Sequence, residues 1–270
     1  MSAGMALFNA LVVAHVVTGA VGLTAFWGPI VTRKGAANHR KWGKAACYGF
    51  LGAGSLAIAM ALLSLFGPEA RHPEVTDRAL FDGLFGWMML YLGALTIGFV
   101  DYGLAVVKHS RNRRMLRKAR YQGVIAAVVI SGGYCGFYGF GVGHPLMVLV
   151  AVIGIIAMAI QQRYIWRDAD FPRGTFALKQ RSGSANEYVG EHFRALIGMG
   201  ISAYTAFLSV GLIRLLPEHV FNPAIWAGPS VIGVSLILYF TLKGKKARVP
   251  GPSGLRPHAQ QIGDGLVERQ

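Results

Sequence analysis

Three histidines stand out in a chain with few other polar groups inside its apolar runs. His15 lies within the first apolar run, while His39 and His192 each accompany an arginine where a later run begins. Neutral imidazole ligates haem iron and copper, and an ionisable group inside a span is a functional candidate by default. His15, His39 and His192 are therefore the candidate cofactor-binding residues. From His15 the helical period picks out Thr18, Gly19 and Gly22, whereas Val13, Val17 and Val21 fall opposite. That stripe predicts an imidazole facing other helices rather than lipid. Its plainer role is a neutral ring hydrogen-bonded across a bundle; Met89, at a similar depth, would permit His–Met ligation of an iron. His39 and His192 are expected at one membrane level and make the better ligand pair.

Arg40, Asp101 and Arg194 form a candidate polar cluster at that same level. A carboxylate at the depth of Asp101 needs a partner, and Arg40 or Arg194 would serve. Together these groups predict a cytoplasm-facing pocket for an anionic group such as a haem propionate or a lipid phosphate. The plainer reading makes the arginines membrane anchors with one ion pair. His144, beside Pro145, is expected to cap a helix. Cys47 and Cys135 lack CxxC spacing, so neither a zinc site nor a redox dithiol is expected. No G-x-S-x-G, no H-E-x-x-H and no pair of membrane carboxylates occurs, so no catalytic residue is assigned and the chain does not read as an enzyme.

The elements that must position these groups are membrane helices. Of 270 residues, 53% are hydrophobic and 14% charged, against about 25% charged in an ordinary soluble domain. Seven segments are long and apolar enough to span: Met5 to Val31, Ala45 to Gly67, Asp82 to Val107, Gln122 to Val142, Pro145 to Gln162, His192 to Leu216 and Trp226 to Leu242. The fold class is thus all-α, an integral membrane bundle of seven transmembrane helices over residues 1–243. Residues 244–270, rich in Gly, Pro and charge, read as a mobile cytoplasmic tail. The stretch from Arg163 to Gly190 is too polar to span and reads as an amphipathic surface segment or a solvated loop. No cleavable signal peptide is expected, since the first run lacks a basic region before it.

The net charge of +15 does not imply nucleic acid, because its distribution has a membrane explanation. Of 27 Lys and Arg, 24 fall in the connections on one side and only Arg71, Arg78 and Arg214 on the other. The crowded side is cytoplasmic by the positive-inside rule, which places the N-terminus outside and the C-terminus inside. Gly132 with Gly136, and Gly139 with Gly143, recur at four-residue spacing and predict close helix packing. Tyr134, Phe137, Tyr138 and Phe140 near the outer boundary fit an interfacial belt.

A histidine in the first span, Gly28-Pro29, and then His39-Arg40 with Gly43 opening the second span resemble a bacterial family of predicted multi-span membrane proteins catalogued as a domain of unknown function. His192 with Arg194 is similar to that family's later histidine and arginine at a helix start. The chain differs in its long connection before the sixth span and in lacking a tryptophan near His192. The resemblance implies a bacterial inner-membrane location. A more distant likeness, to membrane proteins that assist maturation of haem-copper oxidases, implies a haem or copper connection. The expected function is cofactor binding for redox-enzyme assembly or electron transfer in the plasma membrane, with membrane lipids and another membrane protein or redox complex as the expected partners. The alternatives are a proton-coupled transporter built on Asp101 and His15, and a scaffold that binds another membrane protein through the glycine face of the fourth span.

Overall fold

A computed structural model describes residues 3–67, 77–167, 177–208 and 223–246. Seven long helices account for nearly all of them: α1 (Ala3–Val31), α2 (Ala37–Phe66), α3 (Arg78–Lys108), α4 (Ala119–Gly141), α5 (Pro145–Trp166), α6 (Ala177–Ala206) and α7 (Pro223–Lys246). No strand occurs among the described residues. The first five are long and apolar enough to cross a membrane. Over its described residues α6 falls short of that standard, because its first half carries Lys179, Arg181, Glu187, Glu191 and Arg194. The expected tail from residue 247, the far end of the sixth span from residue 209 and most of the connection before α3 lie outside the described residues.

Several helices begin or end beyond the apolar segments that announce them. Helix α2 starts at Ala37 rather than Ala45, α6 at Ala177 rather than His192, and α7 runs on to Lys246. Part of the polar stretch before His192 is thus helix rather than loop. Hydropathy marks where a bilayer would begin, whereas backbone hydrogen bonding continues as long as the next residues tolerate the helix.

Helix α3 is the axis of the bundle. It packs against α2, α4 and α6; α1 packs on α2, α5 on α4 and α7 on α6. Its most apolar window is 67% buried, against 11% for α1, so α1 presents most of its surface outward. Val13, Val17 and Val21 lie on that outward surface. Near its start α3 widens into a π-helical segment, Asp82–Met88, where Phe85 stacks on the neighbouring Phe81 and Trp87 meets the rings of Tyr134 and Tyr138.

The α1–α2 hairpin closes through a short polar turn. Gly35 takes φ +77°, a left-handed conformation that a side chain would strain. The Lys34 ammonium donates to the carbonyls of Pro29 and Ile30 (2.6 and 2.8 Å), satisfying acceptors left open at the end of α1. Deeper in the pair, a Cβ on Gly49 would stand 2.6 Å from the backbone nitrogen of Gly22, so the two helices approach through bare backbone. The glycine face of α4 is used within the chain as well. Gly132 packs on Tyr91, Gly136 on Ala151 and Gly139 on Met147, and Gly143 turns the chain toward α5 with φ +68°.

Candidate functional site

Each of the three histidines uses the same ring nitrogen in the same way. His15 Nδ1 lies 2.9 Å from the carbonyl of Ala53, His39 Nδ1 3.1 Å from that of Pro29, and His192 Nδ1 2.8 Å from that of Gly103. A carbonyl can only accept, so Nδ1 carries a proton and donates it, and a neutral ring held this way has its lone pair on Nε2. Protein matrices hold metal-ligating histidines in this way, fixing one nitrogen on an acceptor and leaving the other for the metal.

His39 and His192 come from α2 and α6 and lie near enough for their charges to interact. His15 does not join them. Its acceptor, Ala53, follows His39 by 14 residues along α2, about 21 Å of helix. Met89, the other ligand considered for His15, belongs to α3, whereas His15 meets α2. His144 occupies the N-cap position of α5, but its side chain makes no capping bond there.

The expected cluster of Arg40, Asp101 and Arg194 is resolved into three separate places. Asp101 pairs with Arg120 of α4 at 2.8 Å, not with Arg40 or Arg194. Arg40 donates to the carbonyl of Gly35 in the α1–α2 turn (2.6 Å). Arg194 pairs with Glu191, one turn before it on α6. Helix geometry explains the preference, since an i,i+3 neighbour is in reach without any tertiary arrangement.

Glu191 is the polar centre that sequence reasoning underrated. It is only 5% exposed, and besides Arg194 it receives the Tyr102 hydroxyl of α3 at 3.0 Å. A buried carboxylate is tolerable when ion-paired and hydrogen-bonded in this way. Nearby, the Nε of Arg194 and the Oε1 of Gln161 are buried without a hydrogen-bond partner. Gln161, in the otherwise apolar α5, is 4% exposed; an amide in such a run is the signal that could have drawn attention to it.

A skirt of arginines closes the basic end. Arg113 donates to the carbonyl of Tyr164 (3.2 Å), lies over its ring and reaches Glu187, which also pairs with Arg167 at 2.6 Å. Arg117 donates to the carbonyl of Ile165 (3.2 Å), so both cations serve acceptors at the end of α5. His109, just past α3, is held below its ordinary pKa by partial desolvation and then by the charges of Lys108, Lys118 and Arg120. It stays mostly neutral at pH 7, and its Nε2 lies 2.9 Å from the Tyr121 hydroxyl.

Among the described residues no group of three or more His, Cys, Asp or Glu side chains could hold a metal ion. The described residues define the class: an all-helical chain with five helices long and apolar enough to cross a membrane and an ion-paired layer at one end. No family model, curated protein or solved structure matches the chain.

The Glu191 pairing has a testable cost. Arg194→Met should destabilise the protein by about 2–3 kcal/mol, because it strands a buried carboxylate. Adding Glu191→Gln to that variant should restore most of the loss. Thermal unfolding in detergent, comparing the single and double variants with the parent, checks both signs.

Proposed function

We propose that this is a seven-span membrane protein of the plasma membrane, with its N-terminus outside and its basic end in the cytoplasm. Support for the orientation comes from the concentration of 24 of 27 Lys and Arg on one side of the sequence topology. A cysteine introduced at Arg114 should be protected from a membrane-impermeant maleimide in intact cells, and one at Asp77 should react. The reverse pattern would invert the topology.

The activity proposed for it is haem or copper binding through His39 and His192, in the service of electron transfer or redox-enzyme assembly beside a membrane redox complex. The observation that carries this reading is the shared ring geometry: both Nδ1 atoms are committed to backbone carbonyls, which leaves Nε2 as the nitrogen each neutral ring would offer. Two axial imidazoles suffice for a haem, and imidazole also suits copper, so the absence of a three-residue cluster among the described residues does not oppose the fit. Either group would supply a one-electron couple when bound. The chain's own contribution is to fix both ring orientations through the carbonyls of Pro29 and Gly103. The likeness to haem-copper oxidase maturation proteins points in the same direction. His15, about 21 Å of helix away, is left as a bond between α1 and α2.

The gently purified protein should show a haem band on dithionite reduction, or stoichiometric copper by elemental analysis. His39→Ala and His192→Ala should each abolish that signal, while His15→Ala retains it. A colourless, metal-free protein that stays so after haem and copper are offered would overturn the proposal.

A further inference from the structure

A second site lies between α3, α5, α6 and α7, and neither His39 nor His192 lines it. These helices enclose a groove of about 290 Å³. Its walls are apolar, formed by residues such as Leu95, Phe99 and Ala157. At its basic end Tyr102, Gln161, Glu191 and Arg194 line it, and further along α6 Ser202 and Thr205 add two hydroxyls. On the outward side its rim carries Ile153, Ile156 and Ile160 of α5 and Val234 of α7, all exposed on the surface that would meet lipid.

The polar end contains two unspent hydrogen-bonding atoms. Arg194 Nε is a buried donor with no acceptor, and Gln161 Oε1 is a buried acceptor with no donor. Such groups are costly to leave unmade, and a ligand that supplies both partners recovers that cost. The charges at this end cancel, since Glu191 is bound to Arg194. A carboxylate or phosphate head would face the Glu191 carboxylate, and an ammonium head would face the Arg194 guanidinium. A neutral head with oxygen atoms suits the place better, on an apolar body that enters from the bilayer through the isoleucine rim.

We propose that this groove binds a membrane-soluble quinone or its quinol. A quinone carbonyl accepts from Arg194 Nε–H, and a quinol hydroxyl donates to Gln161 Oε1. The glutamine amide can turn over to donate its NH₂ instead, so both oxidation states are served. The ring lies among apolar side chains with Phe99 and Tyr102 at hand, and the isoprenoid tail leaves through the rim toward lipid. The proposal does not depend on what His39 and His192 bind.

The test uses the full chain in phosphatidylcholine nanodiscs, with decylubiquinone as the probe and an azido-quinone to map the contact. Saturable binding is expected, with crosslinks on α3, α5 or α6. Gln161→Leu should weaken it about 3–10-fold, the worth of one hydrogen bond. Ile156→Trp should abolish it by filling the rim, and because that side chain faces outward it does not load the packed interior. His39→Ala should leave it unchanged, which separates this site from the cofactor reading. Absence of saturable binding would overturn the proposal, as would binding indifferent to both groove variants. Saturation by oleate with no competition from decylubiquinone would replace the quinone with an anionic lipid and overturn it equally.

Discussion

The bundle depends on a second use of helical carbonyl oxygens. A carbonyl inside a helix already accepts a backbone N–H, and its second lone pair is open to a donor from a neighbour; one at a helix end, like that of Pro29, is left open by its own helix. His15 and His39 use this to join α1 and α2, and His192 uses it to join α3 and α6. Tyrosines repeat the device: Tyr204 of α6 donates to Leu23 of α1 at 3.0 Å, Tyr91 of α3 to Val150 of α5 at 3.3 Å, and Tyr138 of α4 to Ala79 of α3 at 3.1 Å. Lipid gives helices no hydrophobic reason to associate, so such bonds, at about 0.6–1 kcal/mol each, and close glycine contacts must do it. The same bonds decide the chemistry of the histidines, because a ring anchored at Nδ1 has only Nε2 to offer.

Close approach and hydrogen bonding reinforce each other along α1 and α2. Gly22 and Gly49 let the backbones touch, and that separation brings the His15 ring within reach of the Ala53 carbonyl. At the turn, Gly35 and Lys34 close the chain tightly enough for His39 to reach Pro29. On α6, Glu191 is accommodated because Tyr102 and Arg194 share its two oxygens. Among the described residues of that end, Arg194 Nε and Gln161 Oε1 are buried atoms left without such a partner.

The helices themselves were legible from runs of apolar residues, and the stripe His15, Thr18, Gly19, Gly22 pointed toward α2 because small residues mark packed faces. Helix ends were not, since α2 and α6 continue through basic, polar residues that hydropathy reads as loop. Partner choice was harder still. Asp101 was matched to Arg40 or Arg194 by depth alone, yet Arg120 reaches it from the start of α4. Depth follows from counting residues, while the helix beside which a side chain stands is set by the packing of the whole bundle. Glu191 and Gln161 were missed for the same reason: their weight comes from burial against α3, which one helix's sequence does not record.

The ring state of the histidines underlies the account, and nitrogen NMR reads it directly. Solid-state ¹⁵N spectra of histidine-labelled protein in bilayers at neutral pH, without added cofactor, would resolve protonated from bare ring nitrogens. The structure predicts that His15, His39 and His192 each show a protonated Nδ1 and a bare Nε2, with assignments made by loss of each signal in the matching His→Ala variant. A protonated Nε2 on His39 or His192, as the other tautomer or as the imidazolium, would contradict it, because neither ring would then have a lone pair to offer.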